Sequence, residues 1–196
     1  MSQLMNNEAV VALLADLGAD SAFESASLVS MANANTRYLK ELKLNIATVL
    51  NSPNLERKQA VLLALSVVVN EGKPVLISAF EKKAIAEGAS TEEIGEIHAC
   101  VSLMNVNNVF YRFRHFMHDS VYYNNTPFGL RMGLMLNPVL GKPFFELVSL
   151  VISAVNGCER CVTSHEQSVK THNISEATIY EAIRLGAVMK GLCAIM

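Results

Sequence analysis

The sequence predicts an all-α protein, and three observations carry that prediction. Apolar residues recur at the three-to-four spacing of a helix stripe. No segment alternates apolar with polar residues as a half-buried strand does. Pro, Gly and Ser-Glu signals fall at the breaks between the apolar runs.

In chain order, Leu39, Leu42, Ile46 and Val49 lie on one stripe, and Pro53 breaks the segment that carries them. The run from Leu55 to Asn70 is too long for a typical strand and reads as a buried helix. Gly72 ends it, and Pro74 stands where a proline suits the first turn of the next helix. Gly88 then precedes Ser90-Thr91-Glu92-Glu93, in which Ser90 and Glu93 form a capping box, so the longest helix should start there and run through Asn105 to about Phe116. Residues 117–126 (MHDSVYYNNT) read as an extended polar and aromatic connection, after which Pro127 should open a short helix that Asn137-Pro138 closes. The remaining helices are expected from about Phe144 to Asn156, from Cys158 to about Thr171, and from Ser175 onward.

Composition narrows the function. The 196 residues are 51% hydrophobic and 17% charged, enough to bury a large core and the opposite of a disordered composition. With 16 basic and 18 acidic side chains the formal net charge is -2, so no basic field exists to hold nucleic acid or an anionic membrane. The longest apolar stretches, Ala60 to Val69 and Leu147 to Val155, fall short of the roughly 18 residues that cross a bilayer. The first eight residues, MSQLMNNE, hold no Lys or Arg and lack the basic region of a secretory signal, so the expected compartment is the cytoplasm.

The chain reads as one domain, 1–196, with an internal repeat: one copy at about 40–116 and a second, catalytic copy at about 127–196. At a shift of 86, Val49-Leu50-Asn51-Ser52 falls on Met135-Leu136-Asn137-Pro138 and Asn70 on Asn156. After a one-residue slip, Ser90, Ile94 and Glu96 fall on Ser175, Ile179 and Glu181. At the first shift Glu146, Cys158, Cys161 and His165 face Ala60, Gly72, Val75 and Ala79, so only one copy carries reactive groups.

Those four residues form the constellation with chemistry. In a reducing compartment a close Cys pair is more often catalytic or metal-binding than a structural staple. Cys158-Glu159-Arg160-Cys161 follows Gly157, which suits a helix end, so both thiols should lie in the first turn of the next helix, where free N–H groups stabilise a thiolate. Spacings of three and four put Cys158, Cys161 and His165 on one face, with His165 able to take a proton from Cys161. On the apolar helix before them, Glu146, Ser149 and Ser153 draw a polar line, and a carboxylate placed there needs a partner, for which His165 is the candidate. The same four residues also have the donor types of a zinc site, a reading that no second CxxC or close His pair supports. Cys100 and Cys193 sit in apolar helical stretches as small buried hydrophobes. His98, His115, His118 and His172 read as surface or interface residues, and the stretch 107–114 (NNVFYRFR) as packing between subunits.

The segment FELVSLVISAVNGCERCVTSHE closely resembles the signature of the AhpD family of alkylhydroperoxidases, in which a Glu precedes the first Cys by twelve residues and a His follows the second by four. Glu146, Cys158, Cys161 and His165 match it position for position, and KLNI near residue 43, NNVFYR at 107–112 and LRMGLMLNP at 130–138 extend the likeness over most of the chain. The resemblance implies an all-helical, internally duplicated fold and a homotrimer or a multiple of one. It further implies a thiol peroxidase for organic hydroperoxides that holds no bound cofactor or metal. Its electron donor would be the dihydrolipoyl group of a lipoylated dihydrolipoamide acyltransferase, and its onward partner the peroxiredoxin AhpC. Cys161 would attack the peroxide and become a sulfenic acid, Cys158 would donate a proton and resolve, His165 would be the base and Glu146 would orient it. The related carboxymuconolactone decarboxylases are similar in fold but do not rely on a CxxC pair. A module that binds metal or senses redox state without turnover is the other class left open. One position departs from the family pattern: Arg160 stands where His is frequent, and an Arg keeps its charge where a His would shuttle protons.

Overall fold

Helices form where this sequence supplies an apolar stripe, and several stop at a Gly or Asn that accepts a left-handed backbone. The computed structural model describes residues 7–196, so most of the Lys- and Arg-free start read from the sequence lies outside the described residues. Among the described residues there are ten α-helices and no strand: α1 (Glu8–Leu17), α2 (Ala26–Asn33), α3 (Tyr38–Leu50), α4 (Arg57–Asn70), α5 (Pro74–Ala86), α6 (Thr91–Phe116), α7 (Val121–Asn125), α8 (Lys142–Val155), α9 (Glu159–Thr171) and α10 (Glu176–Cys193). None is long and apolar enough to cross a membrane.

The centre is built from two helices with no solvent face. Every residue of α4 from Ala60 to Val68 is buried, as is every residue of α8 from Phe144 to Ser153. These helices lie against each other, α6 and α10 each pack on both, α5 covers α4, and α9 covers α8. α3 joins this core through α10, and α1 packs on α3. Helices α1 and α2, which no apolar stripe had predicted, carry ordinary signals: Asn7 and Ser25 accept first-turn N–H groups, and Gly18 ends α1 at φ 70°.

The two halves share one backbone plan at a constant offset of 85 rather than 86. Helices α4 and α8 both have 14 residues, and α5 and α9 both have 13. Gly72 (φ 62°) and Gly157 (φ 68°) close the first helix of each half with paired bonds, Gly72 N to Val69 O and Lys73 N to Val68 O in one, Gly157 N to Ala154 O and Cys158 N to Ser153 O in the other. The same two-bond cap recurs around Gly88 and Asn173, and Ser90 and Ser175 then cap α6 and α10. The partners of Glu146, Cys158, Cys161 and His165 are therefore Val61, Lys73, Leu76 and Phe80, one residue on from the sequence alignment, because the slip placed near Ser90 is present from the start.

The connection between the halves departs from expectation. A five-residue helix, α7, forms inside the stretch read as extended, with Ser120 as its cap and Asn124 Nδ2 donating to the carbonyls of Met117, His118 and Ser120. Thr126, in front of Pro127, is held extended, and no helix follows it; a single 3-10 turn at Gly133–Met135 is all that winds before α8. Side chains hold this segment down instead. Phe128 meets Phe110 and Tyr111 at 4.4 and 5.5 Å, Arg114 donates to Thr126 O, and the buried Glu96 carboxylate accepts Val139 N and Leu140 N at 2.8 and 2.6 Å.

The crossing of α10 on α8 leaves no room for a side chain at Gly186, where a Cβ would stand 2.8 Å from Val151 Cγ1. Gly186→Val should lower stability by about 2 kcal/mol, the usual cost of overpacking a core. Urea unfolding followed by circular dichroism measures it, and an unchanged midpoint would mean that α8 and α10 can separate freely.

Candidate active site

The cap between α8 and α9 places the cysteine pair. Gly157 turns the chain with a left-handed backbone, and Cys158 then serves two helices: its N–H closes α8 on Ser153 O at 3.0 Å, and its carbonyl accepts Val162 N at 2.9 Å in the first turn of α9. Cys158 is thus the N-cap of α9 and Cys161 its third residue. Their Cα atoms are 5.3 Å apart and the two are joined as a disulfide. A bridge over so short a loop constrains the unfolded chain least, which suits a pair that opens and closes.

Glu146 lies in α8, about three turns before that cap, and is 3% exposed. Its Oε2 is 2.7 Å from His165 Nδ1, and its Oε1 is 2.7 Å from Lys142 Nζ one turn earlier in the same helix. Burial alone would push this carboxyl up, but the bonds to His165 and Lys142 outweigh it and hold the group at about 2. The carboxylate is therefore ionised at any working pH and can only accept. His165 must donate from Nδ1, so the nitrogen left to exchange a proton is Nε2.

His165 and Cys161, one turn apart on α9, form part of the wall of a cavity of about 290 Å³. Tyr111 and Asn107 of α6 and Met132 and Met135 of the connecting segment complete much of that wall, and exposed Arg160 stands at its edge. Cys161 is 6% exposed and faces the cavity, whereas Cys158, 1% exposed, is no part of its lining. Lys142 also donates to Met135 O at 2.8 Å, tying the segment over the cavity to the Glu146 carboxylate.

The polar line on α8 is satisfied throughout. Ser149 Oγ donates to Phe145 O, and Ser153 Oγ accepts Asn108 Nδ2 at 2.9 Å. Asn108 Oδ1 accepts Asn156 Nδ2 at 2.9 Å, and Arg112 Nη1 donates to Asn156 O at 2.8 Å.

Comparison with known proteins places this geometry. The chain is 35% identical over 166 residues to the alkyl hydroperoxide reductase AhpD of Streptomyces coelicolor, covering 85% of this chain and 92% of that one. The Coxiella burnetii protein of the same name is 37% identical over 161 residues, 81% and 90% of the two chains, and that of Rhizorhabdus wittichii 33% over 169 residues, 86% and 96%. The chain belongs to the AhpD family. The profile of the carboxymuconolactone decarboxylase family also matches residues 123–196, the part that contains Glu146, the cysteines and His165.

Within this AhpD-family chain the four residues singled out from the sequence do come together, and three that were not, Lys142, Asn107 and Tyr111, join them. The stretch 107–114, read as packing between subunits, also serves its own chain: Asn107 and Tyr111 line the cavity, Asn108 and Arg112 bond Ser153 and Asn156, and Val109 and Phe113 are exposed. The signal was present, since Asn105, Asn107 and Asn108 are poor helix formers crowded inside a long helix and so needed a reason to be there. His98 and His115 instead approach Glu81 and Glu159 at the surface, and His118 its neighbour Asp119. Cys100 and Cys193 are buried, and burial pushes both thiols up to about 12. Among the described residues no group of three or more His, Cys, Asp and Glu is arranged to hold a metal ion.

The depressed Glu146 carboxyl makes part of the stability acid-labile. That part is fully present above the ordinary value of 4.5 and is lost as pH falls from there through about 2. Urea unfolding between pH 6 and pH 2 should show an acid limb that Glu146→Gln flattens; superimposable limbs would mean that Glu146 gains nothing from Lys142 and His165.

Proposed function

We propose that the protein is a thiol peroxidase that reduces organic hydroperoxides with Cys158 and Cys161. One observation carries the reading: a base oriented by a buried carboxylate shares a cavity wall with one cysteine, while the other cysteine waits behind it. In the reduced state His165 Nε2 takes the proton of Cys161, and the first-turn N–H groups of α9 favour the thiolate. The thiolate attacks the terminal peroxide oxygen and forms an S–O bond. The O–O bond breaks onto the alkoxide, which takes a proton from Cys158. Cys158 then attacks the sulfenic sulfur, hydroxide leaves with the proton held on His165 as water, and the disulfide of this structure results. In sum two thiols and ROOH give a disulfide, ROH and water. The cavity position of Cys161 supports its attacking role.

A dithiol of the dihydrolipoyl kind reopens the disulfide by exchange, and the reduced pair can pass electrons on to a peroxiredoxin. In keeping with its family we assign the donor to a lipoylated dihydrolipoamide acyltransferase and the acceptor to AhpC, in the cytoplasm, with no resident cofactor. We also propose a duplicated unit in which only the copy at about 127–196 kept chemistry, and a homotrimer or a multiple of one. The duplication is supported by the common offset of the caps, and self-association by the exposed apolar residues Phe113, Phe116, Val121 and Tyr122.

The test is hydroperoxide-dependent NADH oxidation reconstituted with lipoamide dehydrogenase and a lipoylated carrier, with and without a peroxiredoxin. Cys158→Ser and Cys161→Ser should each abolish turnover. Peroxide-treated Cys158→Ser should label at Cys161 with a dimedone probe while Cys161→Ser labels weakly; the opposite labelling would reverse the roles, and no turnover in the parent protein would end the reading.

A further inference from the structure

The α6 carboxamides next to the site are paired, with one exception. Asn105 donates to Asn70 Oδ1 at 2.8 Å, and Asn108 bonds both Ser153 and Asn156. Asn107 stands in the cavity wall with Cys161 and His165 and is 5% exposed, yet its Oδ1 is buried with no hydrogen-bond partner. An orphaned buried acceptor costs stability, and a leucine would fill the same space without that cost. Groups kept at such a cost belong to function more often than to packing.

We propose that Asn107 binds the peroxide group of the substrate and aims it at Cys161, an assignment that rests on the peroxidase reading above. The chemistry of the two groups matches. A hydroperoxide R–O–O–H offers one O–H donor on its terminal oxygen and an acceptor on its inner oxygen; a carboxamide offers one acceptor and a two-proton donor on adjacent atoms. Oδ1, sealed from the cavity in this structure, takes the terminal O–H on a rotation of the carboxamide, and Nδ2 donates to the inner oxygen. When the Cys161 thiolate forms its S–O bond, the electron pair of the O–O bond moves onto that inner oxygen, and the Nδ2–H bond strengthens as charge builds there, before the Cys158 proton arrives. The apolar walls from Met132, Met135 and Tyr111 take the organic part. Asn107 is thereby a catalytic residue in contact with the reacting atoms, distinct from the group that activates the thiol.

Asn107→Leu keeps the branched outline at a somewhat larger volume and removes both polar atoms, and Asn107→Ala, read by its two rates alone, is the second variant should the leucine form not fold. Reduced protein is mixed with tert-butyl hydroperoxide and its thiol loss timed, beside iodoacetamide alkylation from pH 5 to pH 9 and thermal melting. The peroxide rate should fall roughly 100-fold, the usual effect of losing a donor to a developing oxyanion. The alkylation profile should stay unchanged, and the melting temperature should hold or rise. A peroxide rate within about twofold of the parent overturns the proposal, as does a rate that falls in step with alkylation or a lowered melting temperature, since these make Asn107 a thiol-activating or packing residue. A parent protein that alkylates normally but ignores the peroxide defeats the peroxidase reading itself.

Discussion

One buried carboxylate organises the site. Glu146 sits in a helix whose other residues from Phe144 to Ile152 are apolar or serine, and an ion there survives only if its partners repay the lost hydration. Lys142 supplies one partner from the same helix and His165 the other from α9. The consequences reach both ways. The bond ties α9 to α8, and it holds the His165 ring by Nδ1 in the cavity wall. Through the Lys142 bond to Met135 O, the segment that walls the cavity depends on the same charge.

The remaining architecture supports that pair. The cap at Gly157 sets Cys158 behind Cys161, and α6 is long enough to bring Asn107, Asn108, Tyr111 and Arg112 across the end of α8. The first half has the same helices and caps, but at the equivalent positions it has Val61, Lys73, Leu76 and Phe80. Val61, Leu76 and Phe80 are fully buried, so the volume used by a carboxylate, a thiol and an imidazole in one half is filled by hydrocarbon in the other. The same run of helices thus encloses plain core in one half and the Glu146, Cys158, Cys161 and His165 cluster in the other.

Much of this was legible in the sequence because it is written locally. Helices α4, α5 and α8 end at Gly72, Gly88 and Gly157, residues with strong backbone preferences, and Glu146, Cys158, Cys161 and His165 are tied by spacing along two adjoining helices. What was missed depends on contacts between distant segments. Asn107 and Tyr111 reach the site only because α6 crosses α9, and Pro127 fails to start a helix because Phe128 stacks on α6 instead. Lys142 was within reach, as it lies four residues before Glu146, but the helix was expected to begin only at about Phe144, which left Lys142 outside it. The helix ends recur at an offset of 85 where the sequence alignment was set at 86, since identities such as Asn70 with Asn156 outweighed the caps.

The central claim is that Glu146, through His165, makes Cys161 a thiolate near neutral pH. Thiolate absorbance at 240 nm of reduced Cys158→Ser, titrated from pH 5 to pH 10, tests it directly, because Cys100 and Cys193 ionise only at about 12 and stay silent in that range. The account requires a Cys161 midpoint at least one unit below the ordinary thiol value of about 8.5. A midpoint at or above that value would contradict it.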